Sequence, residues 1–545
     1  MAKNRISIKS HDFIIVGAGS AGCVLANRLS SDPSNSVLLI EAGASDKDYL
    51  LHIPGAYGKL FRKPYDWGYW TEPQKNANNR KLYIPRGKTL GGCSSVNAMA
   101  YVRGNKKDYD EWASMGNAGW SFKEVLPYFT KSENNEQYAK LDPGMHGQGG
   151  ELNITFAKKF RTPYATAFVA AGMQAGIPEN SDYNGRHQTG ISFLQFSTKD
   201  EKRLSTASAF LKPAKSRKNL TVLTGVLVNK IEIKNDRAIG MVLNNGPGAP
   251  VEVLAHKEVI LSAGAINSPQ VMMLSGIGAA DELKANNIPV VMEMPGVGKN
   301  LQDHLFFSVS AISQQQVGLN HGIKAFNQLK DLTKYYLRKS GPLTIGVLEA
   351  VAFLNLDNAS DRANFQLQFA PLHPGKGYDY DLYDLTTLPT YDGFTILPSL
   401  VNPSSRGYVG IKSKDPRVAP VIQPNFLKEE SDLEMLLKGG KKALEVMQQS
   451  AFDPFRKEVI APPDRNSDDA WVQHIRNSLE TIYHPVGTCQ MGLGEMAVVD
   501  HELRVHGIKG LRIVDASIMP KIITGNTNAP VIMIAEKAAD MILSK

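Results

Sequence analysis

The sequence predicts an α/β protein of more than one domain, with a largely parallel sheet near the N-terminus and an antiparallel sheet farther along the chain. Three observations support this prediction. An apolar run leads into a glycine-rich turn at residues 13–22, a second apolar run ends in Glu41, and residues 306–460 contain alternating apolar and polar stretches. A chain of 545 residues is also too long for one hydrophobic core.

The N-terminal motif has the order of elements typical of a dinucleotide-binding unit, which is strand, glycine turn, helix, second strand and terminal acid. Residues 13–22 read FIIVGAGSAG, and the second strand, SVLLIE over 36–41, ends in Glu41. Turn-forming residues at 32–35 predict that the helix between the strands covers about 20–31. We expect Glu41 to accept hydrogen bonds from a ribose diol.

Each glycine of this motif has a physical reason. Gly17 permits the tight turn, Gly19 leaves room for a pyrophosphate, and Gly22 permits close packing of the helix on the strand. The helix that begins near Ser20 directs its free N–H groups toward phosphate, where the helix dipole also favours negative charge.

Periodicity and turn signals predict the remaining elements. Helical patterns occur at 105–115, from Ser121 with a capping box to Glu124, and at 163–176, 322–339, 430–450 and 531–543, the last starting near Pro530. Strand patterns occur at 220–233, 238–243, 251–254, 257–264, 363–369 and 407–411. Residues 141–150 form a predicted loop.

Composition restricts the classes of function. The net charge of +8 is spread along the chain without a basic block, which argues against nucleic-acid binding. The three cysteines, Cys23, Cys93 and Cys489, are widely spaced and predict neither a disulfide framework nor a metal site. We interpret Cys93 and Cys489 as small packing residues.

The segment lengths bear on location. The first ten residues lack the apolar core of a signal peptide, and no run approaches the roughly 18 apolar residues of a membrane span. We therefore expect a cytoplasmic protein, with peripheral contact at the inner membrane face as an alternative. Residues 322–339 mix Phe, Leu and Tyr with five Lys or Arg residues. A surface helix is the favoured interpretation of that segment, and a lid or membrane-contacting flap is the alternative.

Further motifs resemble signatures of the glucose–methanol–choline (GMC) oxidoreductases, a flavoprotein family. They are RGKTLGGCSSVN at 86–97, GAINSPQVMMLSGIG at 264–278 and GVGKNLQDH at 296–304. The resemblance extends over essentially the whole chain and is strongest to bacterial FAD-dependent aliphatic alcohol dehydrogenases and choline dehydrogenase-like proteins. It implies a Rossmann-like FAD-binding domain with a discontinuous α+β substrate domain built on an antiparallel sheet.

The resemblance also implies boundaries and a cofactor. Residues 1–155, 201–305 and 466–545 are expected in the FAD-binding domain, and 156–200 and 306–465 in the substrate domain. Some members carry FAD on a histidine of the first signature, but the matching position here is Val96, so noncovalent FAD is expected. The expected cofactor-binding residues are Gly17, Gly19, Ser20, Gly22, Glu41, Ala42, Gly91, Gly92, Asn97, Ala98, Val228, Asp515, Ala516, Asn526 and Thr527.

The catalytic candidates lie in YHPVGTC at 483–489 and in the C-terminal segment GNTNAP at 525–530. Alcohol oxidation needs a base for the hydroxyl proton and a hydrogen-bond donor for the developing alkoxide. By resemblance, His484 is the base and Asn528 its partner, Tyr483 forms a pocket wall, and His304 holds a loop. No metal site is predicted.

Alternatives within and outside this chemistry stay open. The resemblance implies oxidation of a primary alcohol with electrons passed to a quinone-like acceptor. An oxygen-using alcohol oxidase and a choline dehydrogenase share every motif named above. A light-driven fatty acid decarboxylase with the same fold is a lower-ranked alternative. A flavin-binding protein without catalytic activity is a further alternative.

Overall fold

The computed structural model describes residues 10–244, 250–357, 362–460, 462 and 464–544. Two large sheets organise the chain, and each has its own hydrophobic core. Among the described residues, no helix combines the length and the apolar character needed to cross a bilayer.

The strands, in chain order, are β1 (Ser10–Val16), β2 (Val37–Glu41), β3 (Tyr69–Trp70), β4 (Tyr83–Ile84), β5 (Glu133–Asn135), β6 (Leu152–Phe156), β7 (Gly190–Phe193), β8 (Gln195–Phe196), β9 (Thr198–Lys199), β10 (Lys202–Arg203), β11 (Leu220–Thr224), β12 (Leu227–Lys234), β13 (Arg237–Asn244), β14 (Val251–Leu261), β15 (Ile277–Gly278), β16 (Met292–Glu293), β17 (Leu305–Phe306), β18 (Val309–Ser313), β19 (Ala350–Leu354), β20 (Phe365–Ala370), β21 (Gly393–Leu400), β22 (Tyr408–Gly410), β23 (Val421–Gln423), β24 (Arg456–Ile460), β25 (Glu480–Thr481) and β26 (Leu511–Ile513).

The α-helices are α1 (Ser20–Leu29), α2 (Lys106–Ser114), α3 (Phe122–Ser132), α4 (Pro163–Gln174), α5 (Lys212–Ala214), α6 (Gly264–Leu274), α7 (Ala280–Ala285), α8 (Ala325–Arg338), α9 (Glu430–Met447), α10 (Asp468–Ser478) and α11 (Asn528–Leu543). The capping box predicted for α3 is confirmed, because the Ser121 N–H and hydroxyl both donate to Glu124.

The first sheet has the strand order β11-β2-β1-β14-β13-β12, and β26 pairs with β14. Strands β11, β2, β1, the second half of β14 and β26 run parallel, whereas β12 and β13 add an antiparallel edge. Apolar residues of β1 and β2 are almost fully buried, as expected for parallel strands covered on both faces. The carboxyl ends of β1 and β14 therefore lie side by side at one edge of the sheet.

The second sheet is antiparallel, with the order β24-β18-β21-β20-β19-β7, and β17 joins β21 to β25. Helix α9 packs so closely on this sheet that a Cβ added at Gly439 would lie 1.9 Å from the Phe365 ring. Strand β7 belongs to the segment 156–200, which was expected in the substrate domain. The second sheet therefore contains strands that lie far apart in the sequence.

The structure differs from the sequence-based elements in three places. The strand predicted at 220–233 is interrupted at Gly225, whose φ of +73° turns the chain. The strands predicted at 251–254 and 257–264 form one strand, β14, because pairing with β1 continues through Ala255. The 407–411 segment forms β22, which pairs with β23 in a separate two-stranded ribbon and not with the second sheet in the described part of the chain.

The boundary expected at residue 466 lies in the connection between β24 and α10. Helix α10 contributes Trp471 and Ile475 to the core beneath the second sheet, although residues 466–545 were expected to belong to the first. Its neighbour α9 lies on the same sheet, so the chain returns to the first sheet only after α10.

Candidate active site

A cavity of about 510 Å³ lies where the two sheets face each other. It runs along the carboxyl ends of β1, β2 and β14, past the N-termini of α1 and α11, to a pocket bordered by the second sheet. Most of the expected site residues line it, namely Gly17, Gly19, Ser20, Glu41, Ala42, Gly92, Asn97, Ala98, Val228, Tyr483, His484, Asp515, Ala516, Asn526, Thr527 and Asn528.

Gly22 and Gly91 were expected at the cofactor but are not among the lining residues. A Cβ added at Gly22 would lie 1.9 Å from the carbonyl oxygen of Gly17, so this glycine permits helix–strand packing. Gly91 has a φ of +85°, and a Cβ there would lie 2.2 Å from the Ser95 hydroxyl. Both glycines permit close packing of the backbone that surrounds the cavity, and neither forms part of the cavity surface.

Gly19 is different, because an added Cβ would meet nothing nearer than 3.9 Å and would project into open space. Beside it, α1 begins at Ser20, and the Ser20 hydroxyl donates to the side-chain oxygen of Asn528 at 2.7 Å. Asn528 is the first residue of α11. The positive ends of two helix dipoles therefore meet at this part of the cavity, which suits an anionic group such as a pyrophosphate.

Glu41 closes the opposite end. Its two carboxylate oxygens accept the backbone N–H groups of Ala18 at 2.9 Å and Gly43 at 2.8 Å. Burial raises the pKa of Glu41 to about 7, although these two amides and the charge of Lys88 oppose the shift. A carboxylate oxygen can accept more than one hydrogen bond, so Glu41 keeps capacity for a diol.

His484 is held rigidly at the other end of the cavity. Its backbone N–H donates to Asp303 at 2.8 Å, and the second oxygen of Asp303 accepts the hydroxyl of Thr481. The preceding residue, Tyr483, has a φ of +65°, an uncommon value for a bulky residue. The Thr481 hydroxyl accepts the Tyr483 N–H at 2.8 Å, so a strained turn aims His484 into the cavity.

A second histidine orients the His484 ring. His304 is fully buried, its Nε2 lies 3.0 Å from the Val401 carbonyl, and its Nδ1 lies 3.0 Å from Nδ1 of His484. A carbonyl can only accept, so the His304 proton resides on Nε2 and its Nδ1 is an acceptor. His484 must then donate from Nδ1, which leaves its Nε2 unprotonated. The expectation that His304 merely holds a loop is corrected by this contact.

The unprotonated Nε2 of His484 accepts a hydrogen bond from the side-chain amide nitrogen of Asn526 at 3.3 Å. The expectation that Asn528 partners His484 is therefore wrong in geometry, because the Asn528 side chain is turned to Ser20. The physical reason is the loop before α11. Gly525, with a φ of +134°, turns the chain so that Asn526 points at the histidine, whereas Asn528 already belongs to the helix.

The electrostatic surroundings keep both rings neutral. Burial lowers the pKa of His304 to about 3, even though the carbonyls of Val401 and Ile523 favour its charged form. Burial also lowers the pKa of His484 well below its usual value, and the nearby His304 and Arg86 lower it further. A neutral imidazole with an unprotonated Nε2 is the state required of a general base.

Tyr57, Phe61 and Tyr483 line the same cavity as His484, and Tyr383 packs behind them. The rings of Tyr57 and Phe61 are 5.0 Å apart, and Phe61 packs against Tyr383 at 5.2 Å. The Tyr483 hydroxyl donates to that of Tyr383 at 3.0 Å. Tyr483 itself lines the cavity. Of these residues, Tyr57, Phe61 and Tyr383 had no motif around them that could have identified them in the sequence.

The two cysteines beside the motifs, and the first residue of the 86–97 motif, occupy different surroundings. Cys489 is fully buried in the first core, as expected for a packing residue. Cys93 lines the cavity beside Val96. Arg86 also lines the cavity, and it donates to the carbonyl of Tyr483. Arg86 begins the 86–97 motif, so that motif could have indicated it.

Comparisons with known proteins identify the same family over most of the chain. Two family models described as GMC oxidoreductase match residues 11–306 and 403–535. An alcohol dehydrogenase [acceptor] of Pseudomonas putida is 41% identical over 98% of this chain and 96% of its own length. An oxygen-dependent choline dehydrogenase of Pseudomonas savastanoi pv. phaseolicola is 42% identical over 98% and 93%.

Two solved structures have a similar fold over nearly the whole chain. A pyridoxine 4-oxidase from Mesorbium loti superposes with a TM-score of 0.88 at 30% identity, over 98% of this chain and 99% of its own. A formate oxidase of Aspergillus oryzae superposes with a TM-score of 0.90 at 27% identity, over 98% of each chain.

Proposed function

The chain belongs to the GMC oxidoreductase family, and from that membership we propose that it oxidises an uncharged primary alcohol, aliphatic or aromatic, to the aldehyde with FAD as cofactor. One observation supports the proposal above the others. A neutral histidine, His484, presents an unprotonated Nε2 to the cavity and faces the amide of Asn526 at 3.3 Å.

The cavity residues fit FAD. Glu41 would accept the ribose hydroxyls, the space beside Gly19 would take the pyrophosphate, and the N-termini of α1 and α11 would stabilise its charge. Val96 lines the cavity at the position where a histidine would attach the flavin. A valine cannot form that bond, so we propose that FAD is held noncovalently.

In the proposed reaction, the residues of the chain position the alcohol and move its proton. When bound, the flavin supplies the acceptor for the hydride that leaves the alcohol carbon. His484 Nε2 takes the hydroxyl proton, while His304 holds the ring in the required tautomer. The Asn526 amide donates to the alcohol oxygen as negative charge develops on it.

The charges around the cavity favour a neutral substrate. Among the described residues that line it, the carboxylates are those of Glu41, Asp331 and Asp515. The oxygens of Glu41 accept backbone amides, and those of Asp515 accept Gly264 N–H at 2.9 Å, Ser268 hydroxyl and Ser517 N–H. Asp331 lies on the surface helix α8. A cation in the cavity would therefore find two of the three lining carboxylates already hydrogen-bonded to the protein.

Choline is the second candidate substrate. The rings of Tyr57, Phe61 and Tyr483 beside His484 offer faces to a quaternary ammonium by cation–π attraction. The 42% identity to a choline dehydrogenase supports this candidate too. We rank it second because aromatic walls receive an apolar alkyl or aryl group equally well.

The electron acceptor is part of the same proposal. We infer a quinone-like acceptor, supported by the 41% identity to a dehydrogenase named for an unspecified acceptor. The alternative is molecular oxygen, in keeping with the oxidase among the similar structures. The motifs do not distinguish the two.

The deciding experiment is an anaerobic absorbance titration of the purified protein with octanol, benzyl alcohol and choline. We expect octanol or benzyl alcohol to bleach the flavin band and choline to leave it oxidised. Bleaching by choline alone would overturn the proposed substrate class, and no bleaching by any alcohol would contradict alcohol oxidation. Reoxidation of the bleached protein by a soluble quinone, compared with air, then identifies the acceptor.

A further inference from the structure

Helix α8 carries an unusual exposed apolar face. Phe326, Leu329, Tyr336 and Leu337 are 78%, 65%, 55% and 79% exposed. At 100° per residue these four side chains fall within one sector of about 100° on the helix surface. We call them the α8 outer face. Large apolar residues exposed singly are ordinary, but a contiguous stripe of four marks an interaction site.

The opposite side of the same helix borders the cavity. Gln328, Asp331 and Leu332 line it. Leu332 and Tyr335 pack with Ile53 in a small core, which seats the helix on the body of the protein. The α8 outer face therefore points away from the cavity while the inner face forms part of its wall.

The cavity reaches the surface at this helix. Lys59 and Tyr49 both line the cavity, and Tyr49 is 58% exposed. The exposed ammonium of Lys59 donates to the Gln328 side chain at 2.6 Å. A molecule that enters between these residues passes directly beside α8.

Positive charge flanks the apolar face. Lys324, Lys330, Lys334 and Arg338 are exposed. In the described part of the chain no carboxylate forms a salt bridge with any of them. Asp331 is the single acid on α8, and it faces the cavity. The surface thus combines apolar side chains with cations that form no salt bridge within the described residues.

We propose that the α8 outer face docks on the surface of an anionic phospholipid bilayer. Its four apolar side chains enter the acyl boundary and its flanking Lys and Arg residues contact lipid phosphates. Given the proposed function, on which this step rests, the orientation would place the cavity mouth at the membrane, where a poorly water-soluble alcohol and a quinone both reside.

The charge pattern distinguishes a bilayer from a second copy of the chain. An isologous dimer through this face would bring the four cations of one copy against the same four of the other, with only Asp331 to offset them. An anionic lipid surface complements Lys330 and Lys334, the cations nearest the outer face at 100° per residue. The bilayer is therefore the occupant that both the apolar and the charged side chains fit.

The test is co-sedimentation of the FAD-loaded protein with large unilamellar vesicles. One vesicle type contains phosphatidylcholine alone, and the other contains equal parts phosphatidylcholine and phosphatidylglycerol. We expect binding to the anionic vesicles that weakens at high salt. The triple variant Phe326→Ser/Leu329→Ser/Leu337→Ser should lower the partition coefficient at least about tenfold.

The double variant Lys330→Gln/Lys334→Gln tests charge without touching the apolar stripe. It should lower binding to anionic vesicles by about tenfold. Leu493→Ser is the matched control, since Leu493 is 71% exposed and lies next to Gly116, away from the cavity. Melting temperature and flavin content verify that each variant is folded. If the triple variant does not fold, the charge variant still tests the proposal.

Sedimentation is scored without substrate, so its result is independent of alcohol oxidation. Wild-type protein that stays in the supernatant with anionic vesicles would overturn the docking proposal, as would variants that bind like wild type. A wild-type dimer that the triple variant converts to monomer, measured by light scattering, would assign the face to self-association instead.

Discussion

The Nδ1 atoms of His304 and His484 lie 3.0 Å apart, and this contact determines which nitrogen of His484 faces the cavity. His304 can accept there only because its own proton is committed to the Val401 carbonyl. The arrangement resembles the way in which a hydrogen-bond acceptor behind a catalytic imidazole selects its tautomer in other enzymes. In this arrangement His484 is the residue that moves the proton, and His304 is the residue that orients the His484 ring.

Replacement of His484 tests the proposed base. His484→Ala should retain FAD but lose at least about 100-fold in the rate of flavin reduction by alcohol, the usual contribution of a general base. Stopped-flow absorbance under anaerobic conditions measures this rate. The control His256→Ala changes an exposed histidine on β14 and should leave the rate unchanged. Near-normal reduction in His484→Ala would refute the role.

The two asparagines near the start of α11 should behave differently. Asn526→Ala removes the donor beside His484 and should slow flavin reduction by about 100-fold with little loss of FAD. Asn528→Ala removes the acceptor of the Ser20 hydroxyl and should chiefly weaken FAD binding. Rates and flavin occupancy are measured on the same preparations. The reverse pattern would restore Asn528 as the partner of His484.

His304 should act through the tautomer of His484. In His304→Gln, the side chain can still donate to Val401 and accept from His484, so flavin reduction should stay close to wild type. His304→Leu can do neither and should lose about tenfold or more. The comparison is made as a pH profile of the reduction rate. Equal rates for the two variants would mean that the histidine serves packing alone.

The depressed pKa of His304 also predicts a pH-dependent stability. In the unfolded chain His304 takes up a proton below its ordinary pKa of 6.5, whereas in the fold its pKa is about 3. The contribution of His304 to the unfolding free energy is therefore complete above pH 6.5, and it declines as the pH falls below that value. Relative to His304→Gln, wild type should lose about 1 kcal/mol more unfolding free energy between pH 6.5 and 5.5. Denaturant unfolding at both pH values measures the difference, and a pH-independent difference would contradict the low pKa.

The glycines of the first turn should separate cofactor binding from folding. Gly19→Ala places a methyl group in open space, so the variant should fold but lose most of its FAD. Gly22→Ala forces a Cβ to within 1.9 Å of the Gly17 carbonyl oxygen and should lower the melting temperature or prevent folding. Differential scanning calorimetry and flavin absorbance compare the two. A fully flavinated Gly19→Ala protein would argue against pyrophosphate at that position.

The N-terminal unit could be predicted from sequence because its determinants are local. Gly17, Gly22 and Glu41 act through backbone geometry and close packing within about thirty residues of chain. The N-cap of α3 is local in the same sense. Strand ends were less predictable, since the single β14 depends on pairing with β1, which is more than two hundred residues away in sequence.

The sequence by itself determined the dinucleotide-binding unit, because the spacing of that motif sets its geometry, and the family resemblance of the 483–489 segment placed His484 among the catalytic candidates. Only the tertiary structure decided that Asn526 and not Asn528 meets His484, and that His304, 180 residues away in sequence, orients its ring. It also decided which face of α8 is left to solvent. The physical reason is that side-chain direction in a loop, and contact between distant segments, depend on how the two sheets pack and not on any local pattern.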